Sequence, residues 1–551
     1  MYFVHAFHHD VSQGETLRIA LYAGWCAWVR HIQGVLASGL CLDVVNCGSR
    51  PVQMPFAYVH PRSIMLHRGV NAPQNPSPVE RWWWNRANGR RGRRNVEEGM
   101  TARESRQSGN MRQPRQENTG VAQNDRQPKI GRIPALIMAV AVVGVAIGAA
   151  AGLLTLMLYQ VERLALGYIE NAHESGPFNV TAIRRAVSVT VGATVAAVVW
   201  WLLRTRTTKV PSVKKAVGGA LMPIWQTVVH VLLQIFIVGT GMSIGREVAP
   251  RELGAMFGQR FARWVRLDAK DTRMLVAITA AAGLAGVYNA PLAGTFFAVE
   301  ILLADITLET VTLAFACSAL ASWVASLIKG THTFYLIGKA DGLFTPDYML
   351  FALVAGLVLG AAGALFRRGS QWAGKNKPSG VGILWQMPLA GLLTGVVAIW
   401  VPQVMGNGRA TAQLSFSSQA DLAVLPMLLL SFVAKAVVTL LTIRSGASGG
   451  VLQPGIALGA SGGAVLGVLW MQMFHTNSIG MYALLGACAL LAASQQAPLM
   501  AICLVMELAD APINLFVPIG LAVAVSAFAA SRLAKPLAVF HLPIPHPTKA
   551  K

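Results

Sequence analysis

Gly245-Arg-Glu-Val-Ala-Pro250 follows a long apolar run at 228–241, and its reading decides how this chain folds. A glycine ahead of Glu247 and a proline behind it fit a chain that breaks and restarts as a helix. Glu247 is then an ionisable group at the end of an apolar segment, where it must be either paired or functional. The N–H groups of a restarting helix attract anions, and a carboxylate lying there can fill the seat itself. Protonated, it would lose its claim and swing away to admit a mobile anion. The competing reading is a helix-capping acid paired with Arg246 or Arg251.

Two more breaks lie on either side. Ser445-Gly-Ala-Ser-Gly-Gly-Val-Leu-Gln-Pro454 leads into an apolar helix and carries no reactive side chain, so any binding there would use main-chain donors. Val210-Pro-Ser-Val-Lys-Lys-Ala-Val-Gly-Gly-Ala220 offers a hydroxyl at Ser212 just before an apolar stretch, where a serine N-cap is the locally favoured reading.

Composition places these breaks in a membrane. Charged residues are 13% of the 551, against about 25% in soluble domains, while 54% are apolar and mean hydropathy is positive. Lys and Arg outnumber Asp and Glu by 46 to 24, giving +22. That excess alone would point to nucleic acid; with this apolar content it points to cytoplasmic segments of a membrane protein. The six cysteines (26, 41, 47, 317, 488 and 503) include no CxxC pair, which argues against a disulfide framework or a zinc site.

Residues 1–132 read as a basic, disordered tail, with 13 basic and 5 acidic residues between Arg81 and Arg132. Its start has no basic n-region, so a cleaved signal peptide is not expected, and Met65, Met100 and Met111 offer later starts. His5, His8, His9 and Asp10 read as a chance cluster; Trp82-Trp83-Trp84 could lie at a headgroup interface. From Ile133 onward the candidate spans are 134–158, 182–203, 222–241, 273–303, 309–328, 347–366, 381–401, 421–442, 454–474, 479–508 and 512–532. Full-length and broken spans together predict an all-α polytopic transporter or channel. The 159–183 loop holds Glu162, Glu170 and Glu174 against Arg163, whereas Arg204, Arg206, Lys209, Lys214 and Lys215 follow the second span. The N-terminus is therefore expected in the cytoplasm.

A repeat is legible. Ala290-Pro-Leu-Ala-Gly-Thr-Phe-Phe-Ala-Val-Glu300 matches Ala497-Pro-Leu-Met-Ala-Ile-Cys-Leu-Val-Met-Glu507 at both ends, and two Gly-to-Pro turns (Gly245–Pro250, Gly449–Pro454) share nearly the same offset. Two copies, about 133–330 and 345–541, predict inverted-topology repeats whose broken helices meet at a midplane anion site.

Together the three breaks resemble the CLC family of chloride channels and chloride/proton antiporters, over about 134–540. GREVAP is close to the family's G-[KR]-E-G-P with one extra residue; SGASGGVLQP fits its G-x-F-x-P turn. YNAPLAGTFFAVE and QAPLMAICLVMEL are similar to two further family segments, and Pro211-Ser-Val lies where the family has G-S-G-I-P. The resemblance implies a homodimer in the bacterial inner membrane, with one anion pathway per subunit. Glu247 would be the gating glutamate, and Gly245 and Arg246 would belong to the anion-binding set. Ser212 and the backbone amides of Val451 and Leu452 would contact chloride, with serine at 212 favouring chloride over nitrate. The family's paired nucleotide-sensing modules are not expected after the last span; 542–551 read as a short tail.

Two departures matter. Proton-coupled members carry a second glutamate where this chain has Ile301, and a tyrosine where it has Ala538. Both lean toward a passive chloride channel, with a chloride/proton antiporter using another internal proton route as the alternative. The spans hold neither a nucleophile–base set nor HExxH, so neither covalent catalysis nor an obligate cofactor or metal is expected. Chloride and the lipid bilayer are the expected partners, and nucleic acid is not.

Overall fold

A computed structural model describes residues 131–338, 345–474 and 478–534. The expectations for residues 1–130, including the histidine cluster and the tryptophan triplet, lie outside the described residues, as do Ala538 and 542–551. From Arg132 onward the described residues are helical, apart from connecting segments and one isolated β-bridge.

The helices fall into two halves of eight. The first holds α1 (Arg132–Ala165), α2 (Ala182–Arg206), α3 (Val213–Val217), α4 (Ile224–Gly239), α5 (Val248–Val265), α6 (Ala269–Tyr288), α7 (Pro291–Phe296, continued by a π-helical turn Phe297–Leu303) and α8 (Leu308–Lys329). The second holds α9 (Pro346–Lys375), α10 (Ile383–Trp400), α11 (Arg409–Phe416), α12 (Leu425–Arg444), α13 (Leu452–Met471), α14 (Ile479–Gln495), α15 (Pro498–Ala509) and α16 (Phe516–Ala534). Among the described residues, eight stretches are long and apolar enough to cross a membrane: α1, α2, α8, α9, α10, α12, α13 and α16, some with a short preceding turn. Their outer faces carry exposed Ile137, Val191, Trp323, Leu357, Trp400 and Val433, as lipid contact requires.

The expected spans 273–303 and 479–508 are each two helices rather than one. Asn289 and Gln496 take left-handed backbone conformations (φ 53° and 55°) and end α6 and α14. Pro291 and Pro498 then open α7 and α15. Proline lacks the N–H that continuing the helix would need, and suits the first turn of a new one.

Matching glycines pack matching pairs. A Cβ on Gly148 of α1 would lie 2.6 Å from the Ala321 carbonyl of α8, and one on Gly356 of α9 would lie 2.5 Å from the Ala522 carbonyl of α16. Small residues let the backbones approach where lipid gives no hydrophobic drive between helices.

The halves also exchange carboxylates. Glu507 accepts from the N–H groups of Leu292 and Ala293 at 2.9 and 2.8 Å, at the start of α7. Glu300 accepts from those of Leu499 and Met500 at 3.2 and 2.8 Å, at the start of α15. Each glutamate thus satisfies two orphan donors of the other half and sits on its positive helix end. Removing either leaves two N–H groups unpaired, at about 1–3 kcal/mol each where buried. Glu300→Ala and Glu507→Ala should therefore lower the detergent-solubilised protein's unfolding temperature to a similar extent. An unchanged temperature in either one would remove the reciprocal cap as a stabilising element.

Candidate functional site

The two glycine-rich breaks meet. Gly245 N–H donates to the Gly450 carbonyl at 2.9 Å, and Gly450 N–H donates to the Gly245 carbonyl at 2.8 Å. This pair ties the segment before α5 to the segment before α13 and brings Glu247 beside the start of α13. Glu247 Oε1 accepts from Leu452 N–H at 2.7 Å, and Glu247 is fully buried. Oε2 has no hydrogen-bond partner.

The carboxylate is therefore seated not on the N-terminus of its own helix α5, where the sequence reading put it, but on that of α13 in the other half. It makes no side-chain cap of its own helix. Neither expected arginine pairs with it. Arg246 turns to Glu170 at 3.0 Å, and Arg251 Nε donates to the Glu247 backbone carbonyl at 2.7 Å. The extra residue of GREVAP leaves α5 intact, because Pro250 falls within its first turn.

Glycine is required on both sides of the seat. A Cβ on Gly450 would lie 1.9 Å from Glu247 Oε1, and one on Gly245 would lie 2.2 Å from Oε2.

Around the seat lies a buried polar shell. Glu170, from the loop after α1, is flanked by Arg246 and by Arg409 at 3.9 Å, and accepts from Asn407 Nδ2. Arg246 faces the rings of Tyr288 and Phe334, each 5.7 Å away, and Arg409 lies 4.0 Å from the Phe334 ring. Arg246 Nε, Tyr288 Oη and Gln453 Nε2 are buried and without a hydrogen-bond partner. Tyr335 Oη donates to Gln453 Oε1 at 2.7 Å. With Glu170 already paired by two arginines, the several open donors left around the Glu247 carboxylate suit an anion better than a cation.

The second break is also held from behind. Arg204, at the end of α2, donates to the Gly446 carbonyl at 2.9 Å and to Ser448 Oγ at 3.0 Å. Lys377 Nζ donates to the Ala447 carbonyl at 2.7 Å. Burial, with Arg204 nearby, pushes Lys377 down to about 8.

The remaining expected residues spread out. Val451 directly precedes α13, and Leu452 opens it. Ser212 is exposed, directly before α3, and its hydroxyl does not cap that helix. Ile301 is half-buried on the π-helical turn and lines a cavity of about 660 Å³ with Lys214, Gly218, Gln259, Arg263 and Arg273. Sequence reasoning missed Tyr288, Gln453 and Arg409, since each acts through a partner distant in sequence. Among the described residues no group of three His, Cys, Asp or Glu is placed to hold a metal.

A family model described as voltage gated chloride channel matches residues 191–531. The chain belongs to the CLC family. The H(+)/Cl(-) exchange transporter ClcA of Cronobacter sakazakii is 32% identical over 286 residues, 50% of this chain and 60% of that relative. The voltage-gated ClC-type chloride channel ClcB of Citrobacter koseri is 28% identical over 343 residues, 60% of this chain and 80% of that relative. A slow cyanobacterial Cl-/H+ antiporter shares the fold with a TM-score of 0.62 at 22% identity, covering 73% of this chain and 96% of its own. The family relatives thus include proteins named as exchangers and as channels.

Gly450→Ala tests the seat. The added methyl group should expel the Glu247 carboxylate and give anion flux that external pH no longer controls, measured as efflux from liposomes. Flux with unchanged pH dependence would show that the carboxylate does not use this seat.

Proposed function

We propose that this protein conducts chloride across the bacterial inner membrane as a channel, with the Glu247 carboxylate as its gate. The observation that carries this reading is the 2.7 Å bond from Leu452 N–H to Glu247 Oε1. Ionised, the carboxylate fills the positive end of α13 and competes directly with chloride. Protonated, it loses the charge that holds it there, and the freed Leu452 amide, with that of Val451 beside it, becomes available to the anion. Gly245 gives the carboxylate room, and Arg246, held by its ion pair with Glu170, keeps an unbonded Nε in the shell as a donor. Ser212 supplies a hydroxyl farther along the pathway.

Family analogy supports a homodimer with one pathway per subunit. The loop-charge bias supports a cytoplasmic N-terminus, with Ser212 and the Arg204–Lys215 cluster toward the cytoplasm. No cofactor is part of this reading. Ile301 and Ala538 support passive flow, because neither side chain can relay a proton or narrow the pathway with a phenol. The second reading, an exchanger, is favoured by relatives named as such and predicts protons driven uphill by a chloride gradient.

In chloride-loaded liposomes, Glu247→Gln and Glu247→Ala should conduct at a rate that external pH no longer changes. Unchanged pH dependence in both would reduce Glu247 to a structural residue. Proton uptake driven by the chloride gradient would overturn the channel in favour of the exchanger.

A further inference from the structure

Cations from three separate helices line one cavity. Lys214 of α3, Arg263 of α5 and Arg273 of α6 surround the space of about 660 Å³ that the end of the π-helical turn closes on its remaining side. That volume lies within the range of small-molecule sites, about 300–1,000 Å³. Neither Asp nor Glu lines it, and among the described residues none of the three cations forms an ion pair.

The acids close by in sequence are engaged elsewhere. Asp271 is bound by Arg132 Nε at 2.7 Å, and Glu309 by Arg132 Nη2 at 2.7 Å. Asp268 caps α6, accepting from Asp271 N–H at 2.7 Å. Asp305, just past the π-helical turn, is exposed and does not line the cavity. The positive charge there is therefore not matched from within the protein.

The walls are fixed. Gln259 Oε1 accepts from Met222 N–H at 3.0 Å, and its Nε2 donates to the carbonyls of Ala216 and Ala220, which fastens the turn after α3 onto α5. Gly219 holds that turn with φ 99°, a conformation that suits glycine. Arg273 Nη2 donates to the Leu303 carbonyl at 3.5 Å and ties α6 to the π-helical turn. A guanidinium carries five N–H donors, so most of those on Arg273 stay open. A pocket formed in advance costs a ligand little ordering entropy.

The lining selects the ligand. Two guanidinium groups and an ammonium group match phosphate oxygens, which accept paired N–H bonds from arginine. Leu221, Leu267 and Ile301 add an apolar flank. Glu247, Val451, Leu452 and Ser212 do not line the cavity, so it is separate from the groups proposed to hold chloride. Basic residues that merely orient a membrane protein need not converge. Lys215, Arg266 and Lys270, equally basic and close in sequence, stay outside the cavity.

We propose that this cavity binds a phosphate group, carried by a membrane lipid or by a soluble molecule, with Lys214, Arg263 and Arg273 as its ligands. No covalent bond is made or broken. The site does not depend on Glu247 being the gate. It joins α3, α5, α6 and the π-helical turn, so an occupant stabilises the folded protein.

The test is binding to the purified full-length protein. In one arm the protein is extracted from bilayers of equal parts phosphatidylcholine and phosphatidic acid, and retained lipid is read by native mass spectrometry. In the other, inorganic phosphate or ATP is titrated into protein held in phosphatidylcholine nanodiscs, and the unfolding temperature is followed. Retention of phosphatidic acid over phosphatidylcholine, or a rise in temperature with phosphate or ATP, is the expected result, and the arm that responds identifies the source. Arg263→Gln and Arg273→Gln should each weaken that binding about tenfold or more, as the loss of a charge-assisted hydrogen bond requires. Both side chains are exposed, so these variants should fold. Lys215→Gln and Arg266→Gln, outside the cavity, should bind as the parent does. No response in either arm, or equal losses in the outside variants, would overturn the site.

Discussion

The paired backbone hydrogen bonds between Gly245 and Gly450 are the constraint on which the rest of the site depends. They join two chain breaks about two hundred residues apart, and nothing bulkier than glycine fits on either side of the carboxylate between them. With that joint made, the start of α13 is within reach of a side chain from the other half. Without it, Glu247 would be a buried charge with no donor, at a cost of several kcal/mol.

Among the described residues, three glutamates cross from one half to a helix N-terminus of the other. Two do so reciprocally: Glu300 onto α15 and Glu507 onto α7, each accepting two N–H groups. The third crossing has no return. Glu247 reaches α13, while the equivalent position in the second half holds Val451 and Leu452, which contribute amides only. The symmetric pair is fully bonded and holds the halves together. The unsymmetric crossing has one bond and one open oxygen, so less is lost when it lets go. Repeat symmetry supplies the strut, and its local breakdown supplies the movable group.

The sequence announced the breaks because glycine and proline act locally. Gly245, Gly449, Pro250 and Pro454 mark backbone changes that no neighbour can override, and the family resemblance followed from them. The sequence reading put Glu247 on the end of its own helix, because Leu452 is distant in the chain and only the Gly245–Gly450 pairing brings it near. Glu170 could be seen as an acidic loop residue but not as the counter-ion of Arg246 and Arg409. The continuous spans 273–303 and 479–508 failed for a local reason. A left-handed Asn289 or Gln496 adds no polarity large enough to interrupt an apolar run.

How far the proposed gate would move follows from what holds α5. Its start is fixed by the Gly245–Gly450 pair and by Arg251 on the Glu247 carbonyl. Its far end is fixed by Gln259 on Met222, Ala216 and Ala220, and by Arg260 on the Met222 carbonyl. Gly254 and Gly258 lie against α6 so closely that a Cβ would fall 2.2 Å from Thr279 atoms. Rotating such a helix would break several of these contacts at once, each worth about 1 kcal/mol or more. Releasing the Glu247 side chain breaks one hydrogen bond and a helix-end interaction. On the proposed role of Glu247, the smaller cost favours a gate made of one rotating carboxylate on a fixed helix over one in which α5 itself turns.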